Sequence, residues 1–441
     1  MSADTLSGAL LENNRRRPEQ VFTPKAVVSR EMFERRNEND PLERGKLQEV
    51  LEDALREEGA QIVIYGDTGV GKTSLLKYAS EDSGLELLVV NCTSQDSFDS
   101  LIDKTIRSVI NVREISYTSS AGREVSAEGA LEAGGKVSHL ITMKGSLRLA
   151  RKSIRSTQSQ FEVVSLSPVD ALKDAMYHAG IDIISFDNFQ NISSSSDRRL
   201  VAELMEHLSD DSSETGNLKV AVVGIADDVE KLISDSGSFR RRTTELEVPR
   251  MPDDEISSIL KHGFMMLEME LDDSVLDDIV FYSDGFPFFA HLIGLAVARV
   301  VRREGAGGRV ERVTWDHLDS AIRSAIQSVN ASYAPRYKSA VEASGKTRPR
   351  ATILDVLANS SQREWRSPEI ISAWREKNGD RSSYEFLYTA LGQLSGDGYG
   401  RVLRRKGTAT NYSYRFQDPY MRPYIRLLNN MDLKVNILPE K

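Results

Sequence analysis

An eight-residue segment of this chain has the composition of a phosphate-binding loop. Residues 66–73 are Gly-Asp-Thr-Gly-Val-Gly-Lys-Thr, a full match to the pattern G-x-x-x-x-G-K-T. In such a loop the glycines let backbone N–H groups approach phosphate oxygens, Lys72 reaches the β- and γ-phosphates, and the Thr73 hydroxyl is placed to ligate Mg²⁺. The sequence therefore predicts a site for ATP with Mg²⁺. The predicted nucleotide-binding residues are Gly66, Asp67, Thr68, Gly69, Val70, Gly71, Lys72, Thr73 and Ser74.

The residues on both sides of the loop have the periodicity that this motif requires. Residues 61–65 form an apolar run that predicts a buried parallel strand, and residues 74–79 carry apolar side chains at helical spacing. A plain glycine-rich turn is the alternative to a nucleotide site. A chance match of the pattern rarely stands between such a strand and such a helix, so the context favours the site.

A later strand ends at a residue that could hold the metal. Residues 181–186 predict a core strand, and Asp187 follows it. An aspartate in this place in a phosphate-loop protein holds Mg²⁺ through water, although a helix N-cap or turn aspartate is the alternative. The next residue is Asn188, where many ATPases carry a glutamate that polarises the attacking water. An amide can orient water but cannot take its proton, so we expect hydrolysis to be slow or to depend on groups from elsewhere.

Two further positions are candidates for contact with the γ-phosphate. Asp227 follows the predicted strand 218–224 and is a candidate sensor, although a turn or capping aspartate is the commoner explanation. Arg240 and Arg241 belong to an arginine cluster at a predicted helix end, which could present a guanidinium to a neighbouring subunit's nucleotide. A solvated basic helix end is the alternative.

Length and composition indicate an ordinary soluble protein with two to four domains. The 441 residues are 40% apolar and 28% charged. Cys92 is the single cysteine, so neither an intrachain disulfide nor a cysteine-built zinc site can form. The N-terminal stretch lacks the apolar region of a signal peptide, and no run of about 18 apolar residues occurs. We therefore expect a cytoplasmic protein without a membrane partner.

The net charge of -9 is unevenly distributed. Residues 346–429 hold fifteen Lys or Arg against eight Asp or Glu, and residues 136–155 are basic without any acidic residue. Basic clusters in an acidic chain are candidate surfaces for nucleic acid, and a solvated face or a subunit contact is the alternative for the second cluster. The predicted DNA-contacting residues are Lys144, Arg148, Arg151, Arg401, Arg404, Arg405 and Lys406.

The pattern along the chain predicts an α/β fold with a parallel-sheet core. We expect a polar N-terminal arm over 1–41, a nucleotide-binding core over 42–250 with a Gly/Ser-rich β insertion at about 115–166, an α-helical lid over 251–345, a winged helix over 346–430 and a tail over 431–441. Three helices followed by a basic hairpin are typical of a winged helix, whose third helix enters the major groove while the wing contacts phosphates. Winged helices also serve as protein contacts or rigid lids.

Taken in order, these motifs resemble those of the AAA+/STAND side of the P-loop ATPases. Within that group the chain is most similar to archaeal-type and origin-recognition-complex ATPases, over about residues 42–430. Residues 285–287 are Gly-Phe-Pro and resemble the G-x-P lid motif of STAND proteins, which implies that Pro287 lies near the nucleotide base. The stretch 414–419, followed by Arg422 and Tyr424, resembles the ending of the archaeal-type winged helix.

The chain departs from the family pattern in two respects. Phe288 and Phe289 stand where an origin ATPase would carry a sensor arginine, and Asn188 replaces the expected glutamate. The first departure puts an arginine contact within one subunit in doubt. The second puts rapid hydrolysis in doubt.

The resemblance implies one of two function classes. In the first, ATP brings copies of the chain together and the assembled protein acts on double-stranded DNA, with antiphage defence or mobile-element control as settings by analogy. In the second, the protein is a STAND-like scaffold that binds no DNA and recruits a separately encoded effector. A metabolic kinase is a distant third, because nothing resembles a phosphoacceptor site.

Overall fold

The structure is a computed structural model that describes residues 16–33, 46–121, 168–212, 217–225, 237–304, 311–342, 349–379, 384–408 and 411–430, with side chains left undescribed at 110–121 and 237. The chain divides into two compact units. The core unit comprises residues 35–67 and 71–249, and the C-terminal unit comprises residues 1–34, 68–70 and 250–441. In the part that the structure describes, no helix combines the length and apolar character needed to cross a bilayer.

A five-stranded parallel sheet forms the centre of the core unit, which confirms the predicted α/β class. Its spatial order is β2-β3-β4-β1-β5, and all neighbouring pairs are parallel. The inner strands are almost completely buried, as expected where helices cover both faces of a parallel sheet. The strands are β1 (Gln61–Tyr65), β2 (Leu87–Asn91), β3 (Ile183–Asp187), β4 (Lys219–Gly224) and β5 (Thr243–Glu247).

Six α-helices accompany this sheet in the described part of the core unit. They are α1 (Leu47–Arg56), α2 (Lys72–Asp82), α3 (Phe98–Ala121), α4 (Pro168–Ala179), α5 (Ser195–Asp210) and α6 (Gly237–Arg242). Helix α3 continues to Ala121, past the predicted start of the β insertion at 115, because no glycine or proline interrupts it. Residues 122–167 lie outside the described part, and so do the predicted DNA contacts Lys144, Arg148 and Arg151.

In the part that the structure describes, residues 253–341 of the C-terminal unit are mostly helical, over the range predicted for the lid, and they are called the lid here. Its helices are α7 (Asp253–Met266), α8 (Asp273–Ser283), α9 (Pro287–Glu304) and α10 (Trp315–Val341). The lid also contains a parallel pair of strands, β6 (Met269–Leu271) and β7 (Glu311–Val313). Three-residue strands are too short to show a period of two, so the sequence did not indicate them.

Residues 349–430, here called the C-terminal module, contain in order the elements that a winged helix requires. These are α11 (Pro349–Asn359), β8 (Trp365–Arg366), α12 (Ser367–Asn378), α13 (Glu385–Leu394), β9 (Leu403–Thr408), β10 (Asn411–Phe416) and α14 (Met421–Asn429). The strands form an antiparallel sheet in the order β8-β10-β9. Strand β8 was not predicted, because it spans two residues only.

Residues 16–33, the described part of the predicted polar arm, include buried apolar side chains and so differ from that prediction. They form a short helix, Pro18–Val21, and a 3-10 turn, Arg30–Met32. Phe22 is completely buried in the lid, where its ring contacts Phe264 with centroids 5.1 Å apart. A Cβ atom at Gly263 or Gly294 would lie 2.5 or 2.8 Å from that ring. These two glycines, on α7 and α9, therefore form the slot that holds Phe22.

We predict that Phe22→Ala destabilises the C-terminal unit by about 3–5 kcal/mol, because it removes a fully buried aromatic ring from a slot that cannot close around alanine. Chemical denaturation measures the change in unfolding free energy. Val27→Ala is the matched control, since Val27 lies in the same segment and is 43% exposed. Equal losses in both variants would contradict the role assigned to Phe22.

Candidate nucleotide-binding site

The loop between β1 and α2 has a backbone that depends on glycine. Gly66, Gly69 and Gly71 have φ angles of 150°, 74° and 95°, in the region that side chains disfavour. A Cβ atom at Gly66 would lie 2.2 Å from the carbonyl oxygen of Val248. Gly71 is the left-handed residue immediately before α2, so Lys72, Thr73 and Ser74 form the first turn of that helix. Their position gives the loop the N-terminal end of a helix, where anions are favoured.

The Lys72 ammonium folds back onto the loop itself. Its Nζ donates hydrogen bonds to the carbonyl oxygens of Gly66 at 3.0 Å and Asp67 at 2.7 Å. Burial lowers the pKa of Lys72 to about 8, and the nearby carboxylates of Asp187 and Asp67 oppose that shift. Lys72 is therefore held within the loop by bonds that phosphate oxygens could replace.

Thr73 and Asp187 meet at the carboxyl edge of the sheet. The Thr73 hydroxyl donates to Asp187 Oδ2 at 2.7 Å, and Asp187 is 8% exposed at the last position of β3. Both groups offer the hard oxygen atoms that Mg²⁺ prefers. Among the described residues no three His, Cys, Asp or Glu side chains cluster as a protein-only metal site. A hydroxyl and one carboxylate fit Mg²⁺ that takes its other ligands from phosphates and water.

Asn188 occupies the position of the missing glutamate with a constrained backbone. Its φ of 59° lies in the left-handed region, and its N–H donates to Asp187 Oδ1 at 2.8 Å. Its side-chain amide lies 3.4 Å from Asn91 Oδ1 and 3.4 Å from Gln190 Nε2. Three amides thus group beside the aspartate, and they can orient water without accepting its proton. Asparagine tolerates the left-handed conformation better than glutamate.

Sequence reasoning missed Asn91 as part of this edge. It is the last residue of β2 and pairs directly with Asp187 in the register of the sheet. The available signal was a polar residue at the end of an apolar strand, the same signal that indicated Asp187. Strand order decides which strand ends are neighbours, and the sequence did not give that order.

The remaining predicted site residues have different placements. Arg242 is held within its own unit by Asp210 on α5, with Nε and Oδ1 2.8 Å apart, whereas Arg240 and Arg241 are exposed. Asp227 lies outside the described residues. Pro287 is the buried first residue of α9 in the C-terminal unit.

Comparison with known proteins identifies the nucleotide-binding segment. Residues 62–250 match the family model of the AAA proteins, the ATPase family associated with various cellular activities. This segment is an AAA ATPase domain. The match begins within β1 and includes the loop, Asp187 and the arginine cluster of α6. No curated protein matches the chain.

Solved structures of archaeal proteins resemble the chain at low identity. The ORC1 protein of Aeropyrum pernix, in complex with DNA, is 14% identical, with 96% of this chain and 98% of that chain covered and a TM-score of 0.43. Cdc6p of Pyrobaculum aerophilum is 13% identical, with coverages of 93% and 98% and a TM-score of 0.43. A Walker-type ATPase of Pyrococcus abyssi is 17% identical, with coverages of 89% and 98% and a TM-score of 0.42.

The AAA ATPase domain should bind ATP less tightly as the pH rises through about 8. Free Lys72 loses its proton near that pH, whereas bound phosphates raise its pKa, so binding above pH 8 must take up a proton. The association constant should be level below pH 8 and fall by up to about tenfold per pH unit above it. Calorimetric titration from pH 7 to 9.5 measures this slope. In Lys72→Arg, whose guanidinium stays charged, the residual binding should be independent of pH. A level profile for the wild type would contradict the assignment.

Proposed function

We propose that this protein is an ATP-dependent switch that binds MgATP, hydrolyses it slowly, assembles with further copies and acts on double-stranded DNA. The observation that carries the nucleotide part is the arrangement of Lys72, Thr73 and Asp187 at one edge of the parallel sheet. Lys72 would hold the β- and γ-phosphates, and Thr73 and Asp187 would hold Mg²⁺. The ion would stabilise charge on the transferred phosphoryl group. Asp227 remains our candidate for sensing the γ-phosphate, and Pro287 for contact with the base.

Slow hydrolysis follows from the chemistry of position 188. We predict turnover below about 0.1 s⁻¹ for the dilute wild type, because general-base catalysis is absent there. Asn188→Asp introduces a carboxylate that tolerates the left-handed backbone, and it should raise turnover at least about tenfold. Gln362→Glu adds the same charge at an exposed amide of the C-terminal module and should leave the rate unchanged. Phosphate release measures all three. Turnover near 10 s⁻¹ in the dilute wild type would show that another base acts.

Assembly would complete the site through an arginine of a neighbouring copy. The Arg242 guanidinium donates hydrogen bonds to the side chains of Asp210 and Ser238 in its own subunit. It would have to break these bonds to reach a nucleotide bound by a neighbouring copy. Arg240 and Arg241 are exposed at the end of α6. We therefore propose that Arg240 or Arg241 is the arginine that contacts the nucleotide of the neighbouring copy.

The proposed DNA surface lies on the β9–β10 hairpin, the wing. Arg404 pairs directly with Arg415 across the hairpin, and Lys406 pairs with Ser413. Because side chains alternate along a strand, Arg404, Lys406 and Arg415 share one face. Arg405 is on the other face, where its guanidinium lies 4.2 Å from the ring centroid of Tyr412. A phosphate over this face would lie near three cationic side chains, which could form charge-assisted hydrogen bonds with it.

Helix α13 adds little positive charge to that surface. Its exposed side chains are Glu385, Tyr388 and Thr389, and the helix holds no Lys or Arg. The commonest base-specific contacts are made to guanine by arginine and lysine side chains. Because α13 carries neither residue, it cannot make those contacts. Arg401 is held by Asp397 at 3.2 Å before β9 begins. We infer that DNA binding would depend on phosphate contacts and be largely indifferent to base sequence.

We predict that replacing Arg404, Lys406 and Arg415 together with alanine flattens the slope of log K against log salt by about 2.7, the counterion-release value for three lost phosphate contacts. The single variant Arg405→Ala is the matched control, since its side chain is on the opposite face, and its slope should stay near the wild-type value. Fluorescence anisotropy with two unrelated duplexes measures both. No wild-type binding at about 50 mM salt with ATP would refute the DNA proposal.

That negative result would favour the alternative function, a STAND-like scaffold. In that case the basic face of the wing would contact an acidic surface of a separately encoded effector protein, and ATP would still drive assembly. The nucleotide site and its predicted behaviour are common to both functions. DNA binding alone separates them.

A further inference from the structure

A buried ionic cluster connects the lid with the last helix of the C-terminal module. Asp284 follows α8, and its side chain is 5% exposed. It faces three guanidinium groups: Arg250 Nη1 at 2.5 Å, Arg422 Nη1 at 3.3 Å and Arg426 Nη1 at 3.4 Å. Arg422 and Arg426 belong to α14, whereas Arg250 precedes α7. One carboxylate therefore joins segments from both ends of the C-terminal unit.

The two arginines of α14 also bond to the ends of other helices. Arg426 donates to the carbonyl oxygens of Ala358 at 2.7 Å and Phe281 at 2.5 Å. Arg422 donates to the same Ala358 oxygen at 3.1 Å. These carbonyls lie at the C-terminal ends of α11 and α8, where a helix leaves acceptors unsatisfied and favours positive charge. The C-terminal end of the lid helix α8 and that of α11 are thus held by the same pair of side chains.

Aromatic contacts extend this connection. Tyr420, immediately before α14, stacks on Phe288 with centroids 5.1 Å apart and planes 12° apart. Phe289 meets the same ring edge-on at 5.1 Å. The Tyr424 hydroxyl donates to Asn330 Oδ1 on α10 at 2.7 Å. Phe288 and Phe289, which replace a sensor arginine in the sequence pattern, here pack against the C-terminal module.

The cluster is sensitive to the loss of the Asp284 carboxylate, which forms ion pairs with all three of Arg250, Arg422 and Arg426. Arg422 and Arg426 are 2% and 6% exposed, and burial lowers the pKa of both, with Asp284 opposing the shift. Arg250 and Arg363 add further positive charge, and Asp253 adds a weaker negative one. Removing one partner of a buried ionic group leaves uncompensated charge, which is strongly destabilising.

We propose that Asp284 is the joint that fixes the C-terminal module to the lid, so that the two move as one body and a change in the lid is carried to the wing. The C-terminal module would then not move independently of the lid. The mechanical part of this inference stands on the contacts above. Its consequence for DNA rests on the proposed function.

Hydrogen exchange on the full-length protein tests the joint directly. In Asp284→Asn, amides of α11 and α14 should exchange at least tenfold faster, while the sheet of the core unit keeps its protection. Asp277→Asn is the matched control, because Asp277 is an exposed carboxylate on α8. Wild-type protection of α14 in Asp284→Asn would overturn the proposal.

A second variant covers the case in which Asp284→Asn does not fold. Arg422→Met removes one cation and keeps Asp284 paired with Arg250 and Arg426, and it should raise exchange in α14 by a smaller factor. The double variant Asp284→Asn/Arg422→Met should recover part of the lost protection or solubility, since fewer buried charges remain unpaired. A double variant that is worse than Asp284→Asn would contradict the charge argument.

DNA affinity with ATP and with ADP tests the consequence. The wild type should bind duplex DNA with different affinities in the two states, and Asp284→Asn should bring their ratio close to one, while Asp277→Asn keeps the difference. An unchanged ratio in Asp284→Asn would overturn the coupling. If the wild type binds no DNA, the proposed function fails, and the hydrogen-exchange result still decides the role of Asp284.

Discussion

The hydrogen bond between the Thr73 hydroxyl and the Asp187 carboxylate is the contact on which the nucleotide site depends. The two residues are 114 positions apart in the chain. They meet because β1 and β3 both pair in parallel with β4, which brings their carboxyl ends to one edge of the sheet. A slip of register would move the carboxylate away from the helix that carries Lys72 and Thr73. The buried apolar strands prevent that slip, since it would turn core side chains outward.

The hydrogen bonds of the Lys72 ammonium are made within the phosphate-binding loop, in places that phosphate oxygens could take. Lys72 bonds to two carbonyl oxygens of its own loop, and Thr73 bonds to the group that would share its metal ion. Nucleotide binding would replace these contacts with bonds from the Lys72 ammonium to phosphate oxygens, in which both donor and acceptor are charged. The same rearrangement would leave Asn188 beside the γ-phosphate without a proton acceptor. Under the proposed function, such a site would hydrolyse bound ATP slowly, as a switch requires.

Local patterns were predicted well from the sequence, and contacts between distant segments were not. The loop was recognised because its eight residues are contiguous and carry the chemistry themselves. Asn91 was missed because its place beside Asn188 depends on strand order. Phe22 was assigned to a polar arm, because its slot is formed by glycines on two helices more than 200 residues away.

Charge was the least reliable guide. Arg350, Arg422 and Arg426 were counted toward the basic character of residues 346–429, yet all three are buried and bond to backbone carbonyls. The basic surface of the C-terminal module is consequently smaller than the sequence indicates. The wing shows the same effect, since three consecutive basic residues cannot share one face of a strand.

Calorimetric titration of MgATP into the wild type, Lys72→Ala and Lys77→Ala tests the central claim most directly. Lys77 is an exposed lysine on the same helix, paired with Glu81, and its replacement controls for loss of charge near the loop. The account predicts equal affinities for the wild type and Lys77→Ala. It predicts binding at least about thirtyfold weaker in Lys72→Ala, since charged hydrogen bonds contribute about 2 kcal/mol or more. Equal MgATP affinities in all three proteins would contradict it.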